Sequence, residues 1–226
     1  EDGDLLLMDI GAEYGMYTAD VTRTIPVNGV FSKEQREIYE LVLKGQEAAI
    51  KKLLPGRGVQ EGHHASTAII VDGLYDLGLI TDKNSTWQKS IYILYPISHW
   101  IGLDVHDVGD YGLDGSQGWR KSMFNPEVKG RELKPGMILT VEPGIYIHPD
   151  GLNMLPDLTR YLDVGKKELE AFLEEVTPVY QKYINIGVRI EDDVLITETG
   201  NKVLSAPAPR TVEDIENLMV EESRFR

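Results

Sequence analysis

The chain has 226 residues, 42% hydrophobic and 27% charged, with 37 acidic against 23 basic side chains and a net charge of −14. That length is enough for one large domain or two small ones with a substantial core, and the composition is that of an ordinary globular protein. The acidic balance speaks against nucleic acid or an anionic membrane as partner, since both favour Lys/Arg surfaces. With no cysteine at all, a disulfide framework, a thiolate metal site and a Cys nucleophile are excluded. No apolar run approaches the length of a membrane span.

Glu1-Asp2-Gly3-Asp4 runs straight into the apolar strand Leu5-Leu6-Leu7-Met8. A domain seldom opens on a buried strand without a lead-in, so the chain is expected to be the later part of a longer protein. Residues 4–28 read as a β-hairpin: Leu5 to Ile10, a turn at Glu13-Tyr14-Gly15, then Met16 to Val27, rich in Tyr, Thr, Val and Ile. Ser32 with Gln35 three positions on makes a capping box, and Ile38, Leu41, Val42, Ala49 and Leu53 give the helix behind it an apolar stripe, stopped at Pro55-Gly56. A second helix is predicted from Val59 to Leu77, ended by Gly78, then a polar loop from Asn84 to Lys89. Residues 91–108 alternate apolar and polar groups. Gly109 to Glu132 is rich in Gly, Asp, Ser and Asn and reads as a long loop. Lys134-Pro135-Gly136 launches a strand from Met137 to Val141, Gly187 to Thr197 reads as another, and Val212 to Met219 closes the chain as a helix. Between the two strands, Leu169, Phe172, Leu173 and Val176 lie at helical spacing, which marks residues 153–181 as a helical insertion. Strands and helices interleave without a βαβ rhythm and without GxGxxG, so the fold class is α+β.

Four acids and one histidine can be read together as a metal site: Asp9, Asp20, His99, Glu142 and Glu191. Each lies in a short apolar or glycine-bearing stretch that reads as buried strand, and burying unpartnered carboxylates is costly. Two divalent cations would balance four carboxylates. Asp9 and Asp20 fall on the two arms of the hairpin with their midpoint between Tyr14 and Gly15, which sets them nearly opposite one another. Asp20 taken alone reads equally as a solvated face. His99 and His106, seven apart with acids alongside, read as a ligand and a nearby proton donor, whereas His63, His64 and His148 read as ordinary hydrogen-bonded or surface histidines. Glu142 ends a strand just before Pro143-Gly144, and Arg189, Glu191 and Asp193 share one strand face, where Arg189 can hold a ligating carboxylate. A buried Glu–Arg ion pair remains the plainer alternative for either stretch.

The stretches MDIGAEYGMYTADVTRT, SHWIGLDVHD, LKPGMILTVEPGIYI and GVRIEDDVLIT, in that order across most of residues 4–220, resemble the second half of a pita-bread-fold metallopeptidase of the aminopeptidase P and prolidase branch. The resemblance implies that residues 1–226 are the C-terminal catalytic portion of a pita-bread domain, lacking the upstream half and any N-terminal domain. It implies two metals at Asp9, Asp20, His99, Glu142 and Glu191, with Mn²⁺ first and Co²⁺ or Zn²⁺ as alternatives, which suits one imidazole among four carboxylates. His106 matches a catalytic-site histidine, and Tyr146 and Arg189 match supporting positions. The implied reaction is hydrolytic removal of the N-terminal residue of a peptide, with Glu142 as proton acceptor and His106 donating to the substrate carbonyl. Two features depart from the pattern and bear on Xaa-Pro selectivity: Tyr95 stands where the family's HGLSH has a pocket-lining histidine, and the 153–181 insertion separates TVEPG from RIEDD. A prolidase acting on Xaa-Pro dipeptides, or a metal-free pita-bread binding module, are the alternatives. Expected partners are a peptide or protein N-terminus, the upstream half of the same protein and a second copy in a homodimer. A cytoplasmic or mitochondrial setting is expected, the second from the mitochondrial branch that trims imported proteins.

Overall fold

The computed structural model describes residues 1–113, 122–162 and 164–221. The chain folds as α+β, with four small antiparallel sheets flanked by helices among the described residues. Strand β1 (Leu5–Ile10) pairs with β4 (Val21–Pro26) from Leu5↔Pro26 to Ile10↔Val21. The ribbon continues into a miniature hairpin of β2 (Glu13–Tyr14) and β3 (Tyr17–Thr18). Its turn is made by Gly15 and Met16, both at positive φ, 59° and 68°, the pattern of a type I′ turn whose twist suits the flanking strands. The tip therefore lies one residue beyond the predicted Glu13-Tyr14-Gly15. That shift matters for the site, because Asp9 faces Thr22 across the ladder and Asp20 is a diagonal neighbour, not the opposite one.

Helix α1 (Lys33–Lys52) begins at the predicted capping box: Gln35 N–H donates to Ser32 Oγ at 3.2 Å and Ser32 N–H donates to Gln35 Oε1 at 2.9 Å. It packs against α2 (Val59–Asp76), which is followed by Gly78 at φ +74°. Within the predicted polar loop 84–89, a four-residue helix α3 (Thr86–Lys89) forms instead, capped by Ser85 and burying Trp87 and Gln88. Residues 91–108 do not form a strand; they are irregular apart from a single bridge, Trp100↔Leu139. Of the predicted loop Gly109–Glu132, residues 114–121 lie outside the described residues.

Strand β5 (Ile138–Val141) pairs with β8 (Asp192–Ile196), and β8 with β9 (Asn201–Val203), while β6 (Gly144–Tyr146) pairs with β7 (Gly187–Arg189). The strand predicted over Gly187–Thr197 is thus two strands with a break at Ile190–Glu191, matched by a break at Glu142–Pro143 on its partner. The helical insertion is present as α4 (Gly151–Leu162) and α5 (Lys166–Tyr183), and the last helix, α6 (Val212–Met219), is capped by Thr211. The apolar stripe of α5 (Leu169, Phe172, Val176, Tyr180) closes one core with Ile38, Val42, Leu74 and Ile190. The other end of α1 (Ala49, Leu53) joins Leu139, Val141, Val194 and Ile196 in a second. Among the described residues no helix is long and apolar enough to cross a membrane.

Candidate metal centre

The predicted ligands come together in one cavity of about 630 Å³, lined also by Tyr95, His106 and Arg189. Four of the five sit outside regular strands. Asp20 lies just before β4, His99 in the irregular 91–108 segment, and Glu142 and Glu191 in the two facing breaks. Backbone bonds made at these ends fix where each side chain points. Glu142 N–H donates to Ile97 O at 2.8 Å, Thr140 N–H to His99 O at 3.0 Å, and Glu191 N–H to Thr22 O at 3.0 Å. Asp20 N–H donates to Asp193 Oδ2 at 3.2 Å. Thr140 ties the His99 segment to Glu142, accepting from His99 N–H at 3.1 Å and donating to Glu142 Oε1 at 3.3 Å.

His99 sets the electrostatic character of the cluster. Its Nδ1 lies 3.0 Å from the Trp100 carbonyl, an acceptor only, so Nδ1 carries the proton. Burial first, then the neighbouring His106, lower the His99 pKa below its usual value, so the ring is neutral and Nε2 presents a lone pair. Around that lone pair stand Glu142 Oε1 at 3.3 Å, Asp20 Oδ2 at 3.5 Å and Glu191 Oε1 at 4.0 Å. Three carboxyl oxygens thus converge on this one ring nitrogen, all within 4.0 Å of Nε2. Asp20, His99 and Glu191 can each offer a ligand atom within 4.8 Å of the others.

The acids respond as crowded, buried anions do. Burial, reinforced by Glu142, pushes the Glu191 carboxyl up to about 8, against the opposing pull of Thr22 and Arg189. Burial pushes Glu142 up to about 7 although Arg189 draws it down. Asp20 is raised by burial and by hydrogen bonding and repulsion from Asp9, and Asp193 is pushed up to about 6 by burial. Glu191 Oε1 is buried without a hydrogen-bond partner. A cavity with an orphaned carboxylate oxygen, an imidazole lone pair and raised acids fits a divalent cation and fits a buried Glu–Arg pair poorly.

Asp9 departs from the expected arrangement. It is exposed on β1, and its carboxylate is held by Arg189 Nη2. The supporting contact expected of Arg189 therefore falls mainly on Asp9, with Glu191 Oε2 at 4.0 Å from Arg189 Nε. Arg189 Nη1 also donates to Tyr146 Oη at 3.5 Å, and Tyr146 Oη meets Tyr95 Oη at 2.6 Å. The two tyrosines reach over Gly144, where a Cβ would stand 2.7 Å from Tyr95 Oη and 2.9 Å from Tyr146 Oη. His106 is exposed beside the cluster, its ring 4.1 Å from that of His99 between centroids. His63, by contrast, is buried on α2 against the Met123 carbonyl at 2.8 Å, and burial lowers its pKa to about 4.

Thr22 is the site residue that the sequence reading passed over. It donates to Glu191 Oε2 at 2.5 Å and accepts from Arg189 Nε at 3.0 Å. Its position two residues after Asp20, on the same face of the ribbon, was the available signal.

A match to the family described as metallopeptidase family M24 covers residues 1–198. The chain is 43% identical over 222 residues to an Xaa-Pro aminopeptidase of Haemophilus influenzae, covering 96% of this chain and 42% of the relative. It is 40% identical over 223 residues to an Xaa-Pro aminopeptidase of Escherichia coli, covering 97% and 42%. Among solved structures, the aminopeptidase PepP of Pseudomonas aeruginosa superposes with a TM-score of 0.75 at 40% identity, over 97% of this chain and 42% of that one. The chain thus spans about two fifths of the length of the curated relatives it matches. The matched sequence and the shared pita-bread fold establish that the chain belongs to metallopeptidase family M24.

Proposed function

We propose that this chain carries the metal-binding half of a two-metal aminopeptidase that removes the N-terminal residue of peptides, with Xaa-Pro or related N-termini as substrate. The observation that carries this is the convergence of Asp20, Glu142 and Glu191 on the lone-pair face of a neutral His99. Asp9, Asp20, His99, Glu142 and Glu191 would hold two divalent ions, Mn²⁺ first because the donors are mostly hard oxygens, with Co²⁺ or Zn²⁺ as alternatives. When bound, the ions supply Lewis acidity towards the scissile carbonyl and make water nucleophilic near neutral pH.

The residues divide the remaining work. Glu142, held by Thr140, takes the proton of the attacking water and returns it to the departing amine. His106, at the open side of the cluster, donates to the substrate carbonyl oxygen as charge builds there. Arg189 steadies Asp9 and the Tyr146–Tyr95 pair, which forms one wall of the pocket. Leu94, Pro96 and Met123 supply apolar lining suited to a proline-sized ring and to keeping water out. The upstream half of the same protein would cover the β1 face, where Leu6 and Ile10 are 47% and 66% exposed. A homodimer completes the proposed assembly.

The test is an assay of the protein at its natural full length, stripped with chelator and reloaded with Mn²⁺, on Xaa-Pro and non-proline peptides with Gly-Pro as the dipeptidase control. Mn²⁺-dependent release of the first residue from longer peptides is expected. Cleavage of Gly-Pro alone would make the protein a prolidase, and a loaded protein without metal by elemental analysis would be the non-catalytic binding module.

A further inference from the structure

The two acids Glu142 and Glu191 sit where the β5–β8 and β6–β7 ladders are interrupted. In the gap, Glu142 N–H turns out to Ile97 O and Glu191 N–H to Thr22 O. The carbonyls of Val141 and Ile190, each immediately before one of these acids, face it, and Pro143 opposite Ile190 has no N–H to offer. Gln46, on α1 and fully buried, fills the gap. Its two Nε2 hydrogens are shared among Asp192 Oδ2 at 2.9 Å, Val141 O at 3.2 Å and Ile190 O at 3.2 Å. One amide thus touches the backbone before Glu142, the backbone before Glu191 and the side chain after Glu191.

The orientation of that amide is forced by its neighbours. Arg210 Nη1, a donor only, reaches Gln46 Oε1 at 3.0 Å, so the NH₂ must face the carbonyls. Asp192 in turn is fully buried on the side away from the cavity. It accepts from Arg23 Nη2 at 2.7 Å and from Ser205 Oγ at 2.6 Å. Arg23 uses all five of its N–H donors. Besides Asp192 they go to Glu191 O at 2.6 Å, Thr22 O at 2.9 Å, Ala208 O at 3.0 Å and Pro209 O at 2.8 Å. Glu191 is therefore gripped from behind by its own carbonyl, by Ile190 O and by the following side chain. None of these groups reaches the cavity.

The geometry points to Gln46, supported by Arg23, Asp192 and Arg210, as the positioning residue that sets the spacing between Glu142 and Glu191 and so the affinity for the metal pair. This deepens the proposed function and rests on it. Removing the amide takes a donor away from the Val141 and Ile190 carbonyls at the point where the strands part, and the gap that holds the two acids then relaxes. Partners of this kind behind metal ligands alter metal affinity when removed, by about 10- to 100-fold.

The experiment compares wild type, Gln46→Met and Arg210→Met at natural full length, by calorimetric Mn²⁺ titration of chelator-treated protein and by thermal melts of the same samples. Methionine keeps the length and apolar volume of Gln46 but donates nothing. Arg210 is only partly buried, with its side chain 29% exposed, so its variant folds even if the core one does not. Wild type is expected to bind Mn²⁺, Gln46→Met about 10- to 100-fold more weakly, and Arg210→Met more weakly in the same direction but by less. Lower melting temperatures with wild-type Mn²⁺ affinity in the folded variants would overturn the inference, reducing Gln46 to a core hydrogen bond, and would leave the proposed function standing. Wild type that binds no Mn²⁺ would sink the proposed function and the inference together.

Discussion

Glu191→Gln should stabilise the metal-free protein at alkaline pH while destroying its metal affinity. In the folded chain the Glu191 carboxyl is pushed up from 4.5 to about 8, so it stays protonated up to that pH. In the unfolded chain it ionises near 4.5. Between those values the native state holds the extra proton, so metal-free stability falls as pH rises through the window. At about 1.4 kcal/mol per pH unit the single-site ceiling is about 5 kcal/mol. Glu142 and Asp20 share the same repulsion, so the separable part for Glu191 is on the order of 2 kcal/mol. Glutamine keeps an oxygen to accept from Thr22, whose hydroxyl lies 2.5 Å from Glu191 Oε2, and places an NH₂ where Oε1 now has no partner. Urea unfolding of chelator-treated wild type and Glu191→Gln at pH 5 and pH 8 reads the difference. The midpoints should be close at pH 5 and the variant clearly higher at pH 8, while Mn²⁺ raises the wild-type midpoint only. A variant no more stable than wild type at pH 8, or a wild type indifferent to pH over this range, would show that Glu191 is not held as a crowded, buried acid.

Three further outcomes are expected. His106→Ala keeps the Mn²⁺ stoichiometry measured by elemental analysis but lowers kcat by roughly 10²-fold; a missing metal would put His106 among the ligands. Gly144→Ala places a methyl within 2.7 Å of Tyr95 Oη and displaces the tyrosine wall, so steady-state kinetics should show kcat/KM lowered roughly 10- to 100-fold, and unchanged kinetics would remove that pair from the substrate pocket. Ser32→Ala breaks the capping box of α1 and should lower unfolding stability by about 1 kcal/mol with or without Mn²⁺; a larger loss confined to the metal-loaded protein would tie that helix end to the site.

Much of the scaffold was legible because local signals agreed with it. Ser32 and Gln35 mark the start of α1, and Val212–Met219 is helical as the pattern indicated. The hairpin register was not legible. Its turn puts Met16 at φ 68°, a conformation that methionine's preferences do not advertise, and a tip one residue further on shifts the pairing by two, so that Thr22 takes the place opposite Asp9 expected of Asp20. The stretch around His99 read as buried strand, yet it meets β5 and Glu142 only through two backbone bonds, a single bridge and side-chain contacts. That Asp9, Asp20, His99, Glu142 and Glu191 line one cavity was legible from the motifs, whereas the Arg189–Asp9 pairing was not, because that contact spans distant strands. Gln46 did leave a trace. It occupies the buried stripe of α1 with Ile38, Val42 and Ala49, and a polar residue on such a stripe needs an internal partner.

The register of the ladders explains why the acids sit where they do. It runs from Ile138↔Leu195 and Val141↔Asp192 to Gly144↔Arg189, which sets Glu142 opposite Glu191 with both side chains on one face and both N–H groups turned away from each other's strand. As Thr140 N–H leaves the ladder for His99 O, these N–H groups bond sideways, to Ile97 and to Thr22. Those two bonds draw the His99 segment and the β4 strand, with Asp20 just ahead of it, against the acids. The proposed ligands, from four distant parts of the chain, are thereby placed by backbone hydrogen bonds, which are less adjustable than side-chain rotamers. Pro143, opposite Ile190, has no N–H to give to the Ile190 carbonyl, and the Gln46 amide reaches that carbonyl and Val141 O. The opposed acids, the sideways backbone bonds and the buried glutamine behind them thus follow from one register: two strands that set carboxylates face to face and leave a carbonyl for α1 to meet.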